Sequence, residues 1–350
     1  MINAGVVGYG YAGRSFHAYL IGLAEGLNLA AISTRNPERL RLAAQDYPQA
    51  RLYPNIDDLL ADETVQLVVI ATPHDTHRDL AIKAMEAGKH VVTDKIMGMT
   101  AAEADDMIQV SRRNEVMLSI FHNRRWDWDY LTVKKVITDG LLGEPYYYAA
   151  AIMVYRQPRG WRSNQAASGG ILFDWPAHFV DQALQLLPAE VESVYCTIKQ
   201  RDTWNIDIGN YAKLLLNFSN GALYEIEISN LAGVGKPRWY VLGERGGLIK
   251  YGLDPQEIPM VAGDIDAAQE DPAQRAKVWT TVNGQEEELV IDSVRGSWKS
   301  YYQNISDVLN QGAELIVKPE QIYRLMQVYD AARQSAATGE VVRLTKGGLS

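Results

Sequence analysis

From residue 3 to about residue 122, short β-branched and aliphatic runs alternate with longer helical patterns, and this rhythm restricts the region to a parallel sheet covered by helices. Strands are expected near 3–8, 28–33, 66–71, 90–93 and 116–121. Val6, Val7, Ile32, Val68, Val69, Ile70, Val91 and Val92 make nearly continuous apolar runs, as in central strands buried on both faces, so they read as core. Thr100-Ala101-Ala102-Glu103 has capping-box spacing, and Gly88 stands where a left-handed C-cap would end the preceding helix.

After residue 122 the rhythm changes. A helix expected over 127–139 leads to strand-like segments near 145–155, 190–200, 209–218 and 222–230. Ser219-Asn220-Gly221 marks a hairpin between the last two. Tyr224, Ile226 and Ile228 alternate with Glu225 and Glu227, which gives a sheet one apolar and one polar face. This predicts an antiparallel α+β domain, with helical patterns near 176–187, 297–310 and 319–336 covering one face. The other face is either an oligomer surface or wet. The stretch 254–275, rich in Asp, Glu, Pro and Ala, reads as an exposed excursion. A length of 350 residues fits two domains.

Charge narrows the partners. The formal net charge of -9 argues against nucleic acid and anionic membranes, both of which are bound through surplus Lys and Arg. The start, Met1-Ile2-Asn3-Ala4-Gly5, lacks a charged segment leading into an apolar one, and no run approaches the roughly 18–20 apolar residues that span a bilayer. Cys196 is the only cysteine, so no internal disulfide or thiolate metal site can form; the expectation is no metal, a buried thiol and a reducing, cytoplasmic compartment.

Gly8-Tyr9-Gly10-Tyr11-Ala12-Gly13 fits G-x-G-x-x-G between the first strand and the next helix. The first glycine permits the turn, the second a close approach to a pyrophosphate, and the third tight helix–strand packing; Tyr11 and Ala12 begin the helix whose N–H groups face the phosphates. The second strand ends Ser33-Thr34-Arg35, where an NAD site usually offers a carboxylate to the ribose 2′-hydroxyl. Ser33 and Thr34 supply hydroxyl donors and Arg35 a fork for a 2′-phosphate, which favours NADP(H) and leaves NAD(H) possible. Thr72, Pro73 and His77 follow a strand end that faces the ligand crevice, so they are expected to line the nicotinamide side.

Thr93-Asp94-Lys95 brings a lysine to the same edge of the sheet. Farther on, Gly169-Gly170 precedes Asp174, His178 and Asp181; if this segment is helical, Asp174 and His178 share a face. Imidazole, carboxylate and amine together make a proton-transfer set. The spacing alone fits a buried His–Asp pair anchoring a helix equally well.

Taken together, the Gly8–Gly13 loop, Thr72-Pro73 with His77, Asp94-Lys95 and Gly169-Gly170 with Asp174, His178 and Asp181 resemble the Gfo/Idh/MocA family of NAD(P)-dependent oxidoreductases over essentially the whole chain. Phe121-His122-Asn123-Arg124-Arg125-Trp126-Asp127 and Tyr251-Gly252-Leu253-Asp254-Pro255-Gln256-Glu257 are similar to segments of a bacterial subgroup containing NADP-dependent scyllo-inositol dehydrogenases. The resemblance implies an α/β fold: a Rossmann domain over 1–122, then an α+β substrate and oligomerisation domain over 123–350 whose open, mostly antiparallel sheet makes a homodimer or homotetramer. It implies that Lys95 hydrogen-bonds the substrate hydroxyl and orients the nicotinamide, that His178 takes the hydroxyl proton, and that Asp174 holds the substrate or tunes the imidazole. Asp94 and Lys95 join the cofactor set; Asn123, Arg124, Trp161, Arg162 and Asp181 become substrate contacts. Ile96 replaces the family's proline, so a trans Lys95–Ile96 bond is expected, and Pro176 occupies a frequent glycine position in the first helical turn. The expected activity is hydride exchange between nicotinamide and a secondary alcohol or ketone of a sugar or cyclic polyol. The alternatives are an NAD-dependent glycosidase that uses the cofactor transiently and a degenerate NADPH-binding sensor.

Overall fold

The computed structural model describes residues 1–282, 284–345, 348 and 349. Two compact units emerge: one from 1–123, 258–266 and 297–326, the other from 124–257, 267–296 and the described residues from 327 onward.

The first unit holds six parallel strands: β1 (Ile2–Val7), β2 (Leu27–Ser33), β3 (Arg51–Tyr53), β4 (Leu67–Ile70), β5 (His90–Thr93) and β6 (Leu118–Ile120), in the order β3-β2-β1-β4-β5-β6. Val68, Val69, Ile70, Val91 and Val92 are each 0% exposed; side chains of this kind contribute roughly 1.5–3 kcal/mol apiece on full burial. The strand order reverses between β1 and β4, which opens the ligand crevice of a doubly wound sheet at their carboxyl ends. Thr100 caps the helix Ala101–Arg113 by accepting from Glu103 N at 3.1 Å, while Glu103 accepts from Met99 N at 2.7 Å, one residue before the cap, instead of closing a strict capping box. β3 went unanticipated because three edge residues carry no periodicity.

The second unit carries a mixed sheet: β7 (Pro145–Met153), β8 (Val191–Lys199), β9 (Tyr211–Phe218), β10 (Leu223–Ser229), β11 (Trp239–Gly243), β12 (Gly246–Lys250), β13 (Ala276–Val282), β14 (Gln285–Ile291), β15 (Val342–Thr345) and β16 (Gly348–Leu349). The order is β14-β13-β12-β11-β7-β10-β9-β8-β15-β16, antiparallel except for the β7–β10 pair. Gly221, at φ +82°, completes the turn between β9 and β10. Tyr224, Ile226 and Ile228 are buried, while Glu225 and Glu227 pair with Lys213 and Lys236. β14, Gln-Glu-Glu-Glu-Leu-Val-Ile, has poor strand propensity and forms by pairing with β13.

Two expectations are corrected. The helix Lys299–Gln311 belongs to the first unit and not to the one that carries the antiparallel sheet; there Gln303, Ser306 and Asn310 bind the backbone of Glu25 and Gly26. Nor is 254–275 simply exposed: Gln256, Met260, Ile265 and Ala268 are buried, Ile265 N donates to Tyr19 Oη at 3.1 Å, and Glu270 pairs with the buried Lys250. Scattered apolar residues anchor the segment in a way its acidic composition hid.

Candidate functional site

Leaving β1, the chain turns through Gly8 at φ +96°, where a Cβ would lie 2.4 Å from Ala71 O; at Gly13 a Cβ would lie 1.8 Å from Gly8 O. The fold itself demands these two glycines. Gly10 is different. Its Cβ would meet only the Arg39 guanidinium, at 3.5–3.9 Å, which is ordinary contact. No atom of the described residues requires a bare backbone there, so the space suits a ligand's phosphates, and the residues present fit a dinucleotide. Residues 11–23 are helical, with a π-wound stretch over Gly13–Ala18. Tyr11 is 52% exposed and rests edge-on against Phe16. Accordingly, Gly10→Ala is expected to keep the parent melting temperature yet weaken dinucleotide binding roughly tenfold or more, whereas Gly13→Ala lowers both. Thermal scanning and NADPH fluorescence titration read the two effects; parent-like affinity in Gly10→Ala would remove the cradle.

At the end of β2, Ser33 and Thr34 are buried and Arg35 is exposed. Asn36 caps the helix Pro37–Asp46 by accepting from Arg39 N at 3.1 Å. This cap sets Arg39 four residues beyond Arg35 with its guanidinium beside Gly10. Arg39 escaped the sequence reading; its i,i+4 spacing from Arg35 across a helix start was the available signal.

At the ends of β4 and β5, Thr72 and Pro73 remain partly exposed, but His77 is 0% exposed. Its Nδ1 lies 2.5 Å from Ile96 O and its Nε2 3.0 Å from Thr72 O. His77, expected on the nicotinamide side, ties the Thr72 loop to the backbone after Lys95. The Lys95–Ile96 peptide is cis, overturning the trans expectation. Ile96 is 1% exposed and its carbonyl is held by His77, so tertiary packing sets the conformation. Lys95 stays partly exposed, and its backbone N–H donates to Asp94 Oδ1 at 2.8 Å. Burial would raise the Asp94 carboxyl, but the polar contact with His17 and the neighbouring Lys95 ammonium hold it well below the usual carboxylate range. Asn123, also in this unit, is 3% exposed with its Nδ2 lacking a hydrogen-bond partner among the described residues.

In the second unit, the helix Pro176–Leu186 starts with proline in its first turn and carries His178, 7% exposed, against the Trp175 ring at 6.2 Å. Asp174 precedes this helix at φ -88°, ψ -110°, so it does not share a helical face with His178, correcting that expectation. Gly169 and Gly170, at φ +74° and +90°, shape the approach; a Cβ on Gly169 would sit 1.7 Å from Phe173 Cδ2. Asp181, expected as a substrate contact, forms a buried two-point pair with Arg125 at 2.6 and 2.8 Å. A buried carboxylate needs such compensation. Arg124 stacks over Trp175 at 4.1 Å and reaches Asp127 and Glu257. Trp161 and Arg162 lie in the short turn Gly160–Ser163 and stack on one another at 4.5 Å.

The motifs around residues 127 and 254 meet in a knot of Asp127, Asp129 and Asp254, with one oxygen of each within 4.8 Å of the others. Nitrogen donors occupy it: Trp128 N donates to Asp254 at 2.7 Å, and Trp239 Nε1 and Arg238 to Asp129 at 2.8 and 3.0 Å. Burial, with the Asp129 charge adding to it, pushes the Asp254 carboxyl up to about 6. The knot braces the start of the helix Trp128–Thr138.

Residues 2–122 match the oxidoreductase family with an NAD-binding Rossmann fold, and residues 130–249 match the GFO/IDH/MocA C-terminal domain. The chain belongs to this family. Relatives include the uncharacterized oxidoreductase YdgJ of Escherichia coli (strain K12), 35% identical over 96% of both chains. The scyllo-inositol 2-dehydrogenase (NADP(+)) IolW of Bacillus subtilis (strain 168) is 30% identical over 98% of this chain and 96% of that one. A solved NAD-binding protein from Listeria innocua superposes with a TM-score of 0.86 at 29% identity, covering 99% of this chain and 98% of that one. This family member is an NAD(P)-dependent oxidoreductase. No helix among the described residues is long and apolar enough to cross a membrane.

Proposed function

We propose that the protein is an NADP(H)-preferring dehydrogenase or ketone reductase acting on a secondary alcohol or ketone of a sugar or inositol-like polyol, working as a cytoplasmic homo-oligomer through its second sheet. The end of β2 carries the cofactor reading: it presents Arg35, with Arg39 beside the Gly10 cradle, and no carboxylate. The NADP(+) in the name of the relative IolW supports it. Bound NADP(H) supplies the hydride donor or acceptor. Gly8, Gly10 and Gly13, with Tyr11 and Ala12 at the helix start, hold its pyrophosphate. Ser33, Thr34, Arg35 and Arg39 take the adenosine end; Thr72, Pro73, Asp94 and Lys95 take the nicotinamide end.

In oxidation, His178 Nε2 takes the hydroxyl proton while the Lys95 ammonium stabilises the oxygen as negative charge develops on it. In reduction His178 returns the proton to that oxygen. Asp174, Asn123 and Arg124 orient the remaining hydroxyls, and Trp161 with Arg162 forms an aromatic and cationic wall. NADPH consumption against a panel of inososes and aldoses, repeated with NADH, tests the assignment. Turnover on a cyclic ketose with NADPH preferred is expected; absence of any substrate-dependent change at 340 nm overturns it. In Arg35→Ala/Arg39→Ala the NADPH Kd is expected to rise about 10- to 100-fold while the NADH Kd stays nearly constant, reflecting one or two charge-assisted hydrogen bonds of about 1.5–3 kcal/mol each.

A further inference from the structure

His17 sits in the π-wound stretch Gly13–Ala18, directly after the glycine loop. Its side chain is 0% exposed, so it touches neither cofactor nor substrate. The Phe121 ring packs against it with centroids 4.5 Å apart, and Nδ1 lies 2.7 Å from Tyr302 Oη on the helix Lys299–Gln311. Among the described residues Nε2 has no hydrogen-bond partner within normal reach, and it faces Asp94 Oδ1 at 3.8 Å. The Asp94 side chain keeps 17% exposure, so the carboxylate has His17 behind it and an open edge in front. Among the described residues the titratable groups around that carboxylate are His17, His77, Lys95 and Tyr302.

Two features of this arrangement go beyond packing. Burial, with Tyr301 and Asp94 adding to it, pushes the Tyr302 hydroxyl well above its ordinary range, so the phenol keeps its proton, and His17 Nδ1 is the one hydrogen-bond partner among the described residues that can accept it. With Tyr302 donating to Nδ1, the ring proton of a neutral imidazole belongs on Nε2, the nitrogen turned toward Asp94. Further, Asp94 Oδ1 is the same atom that receives the Lys95 backbone N–H, so the contact bears on the pair of residues next to the cofactor crevice. A buried imidazole nitrogen with no partner is costly. Among the described residues the polar atom this nitrogen faces is that carboxylate oxygen, and a slight shift of either side chain, as on ligand binding, would close the gap to a hydrogen bond.

We propose that His17 is a positioning residue for the cofactor: held by Tyr302 in the Nε2–H tautomer, it aims the Asp94 carboxylate into the nicotinamide end of the site. The proposal rests on the reading of Asp94 as cofactor-facing, and its test separates the two.

The first arm needs no cofactor. Ring ¹⁵N NMR of the full chain labelled in its six histidines, with the His17 signals identified by their loss in His17→Gln, is expected to show the Nε2–H tautomer and a Nδ1 shift that moves in Tyr302→Phe. A Nδ1–H tautomer overturns the proposal. The second arm is NADPH fluorescence titration. His17→Leu is expected to weaken binding roughly tenfold, in the range seen when a residue that orients a ligand-contacting group is lost. His17→Gln, whose amide N–H reaches the Nε2 position, returns binding to within about threefold, and Tyr302→Phe falls between them. Because His17 acts through Asp94, His17→Leu/Asp94→Asn is expected to bind no more weakly than Asp94→Asn alone. Additive losses, or equal impairment of the Leu and Gln variants with matching drops in melting temperature, would reduce His17 to packing. Failure of the parent to bind either NADPH or NADH would sink the functional reading instead, while the NMR arm still decides the tautomer.

Discussion

Lys95→Ala and His178→Ala are each expected to lower kcat on the polyol or ketose substrate by about 10²–10⁴-fold, the span of general acid–base and charge-stabilising contributions. The two variants differ in binding. Lys95 belongs to the unit that carries the glycine cradle, so its loss also weakens NADPH, whereas His178 belongs to the other unit and its loss leaves the NADPH Kd unchanged. Groups serving one proton-transfer event are strongly non-additive, and the double variant is expected to be little slower than the worse single one. Steady-state kinetics with NADPH titrations decides the matter. Parent-like turnover by both single variants would mean that neither group acts on the reacting oxygen.

Asp181→Ala is expected to be the most destabilising single change in the second unit. The Asp181 and Arg125 side chains are 3% and 6% exposed, so deleting the carboxylate strips a buried guanidinium of its two-point ion pair at a cost of about 3–5 kcal/mol. A two-unit chain is not expected to unfold in one step, so the loss is read as an earlier first transition in urea rather than as one global free energy. Asp181→Leu/Arg125→Met, which removes both charges, is expected to recover most of the stability. A substrate contact behaves differently: truncation raises KM and leaves the urea profile alone. That outcome would return Asp181 to the site.

Much of the architecture was legible because its signals are local. The buried runs at Val68–Ile70 and Val91–Val92, the Thr100–Glu103 cap and the β9–β10 turn follow from apolar periodicity, hydrogen-bond spacing and allowed φ angles, each of which acts within a few residues. The glycine loop was legible for the same reason. What stayed hidden depends on neighbours far along the chain. β14 is a strand because β13 lies beside it, the helix Lys299–Gln311 returns to the first unit through contacts with Glu25 and Gly26, and Arg39 reaches Gly10 only because Asn36 caps its helix.

The site divides along the same line. Residue order alone determined the chemistry on offer: a phosphate cradle, an amine after β5, an imidazole after the paired glycines, and a missing acid where NAD is usually read. Tertiary structure decided which polar side chains remain available, since desolvation drives most buried ones to take a partner. His77 was drawn to two carbonyls, Asp181 to Arg125, and His17, which no motif had marked, came to stand behind Asp94.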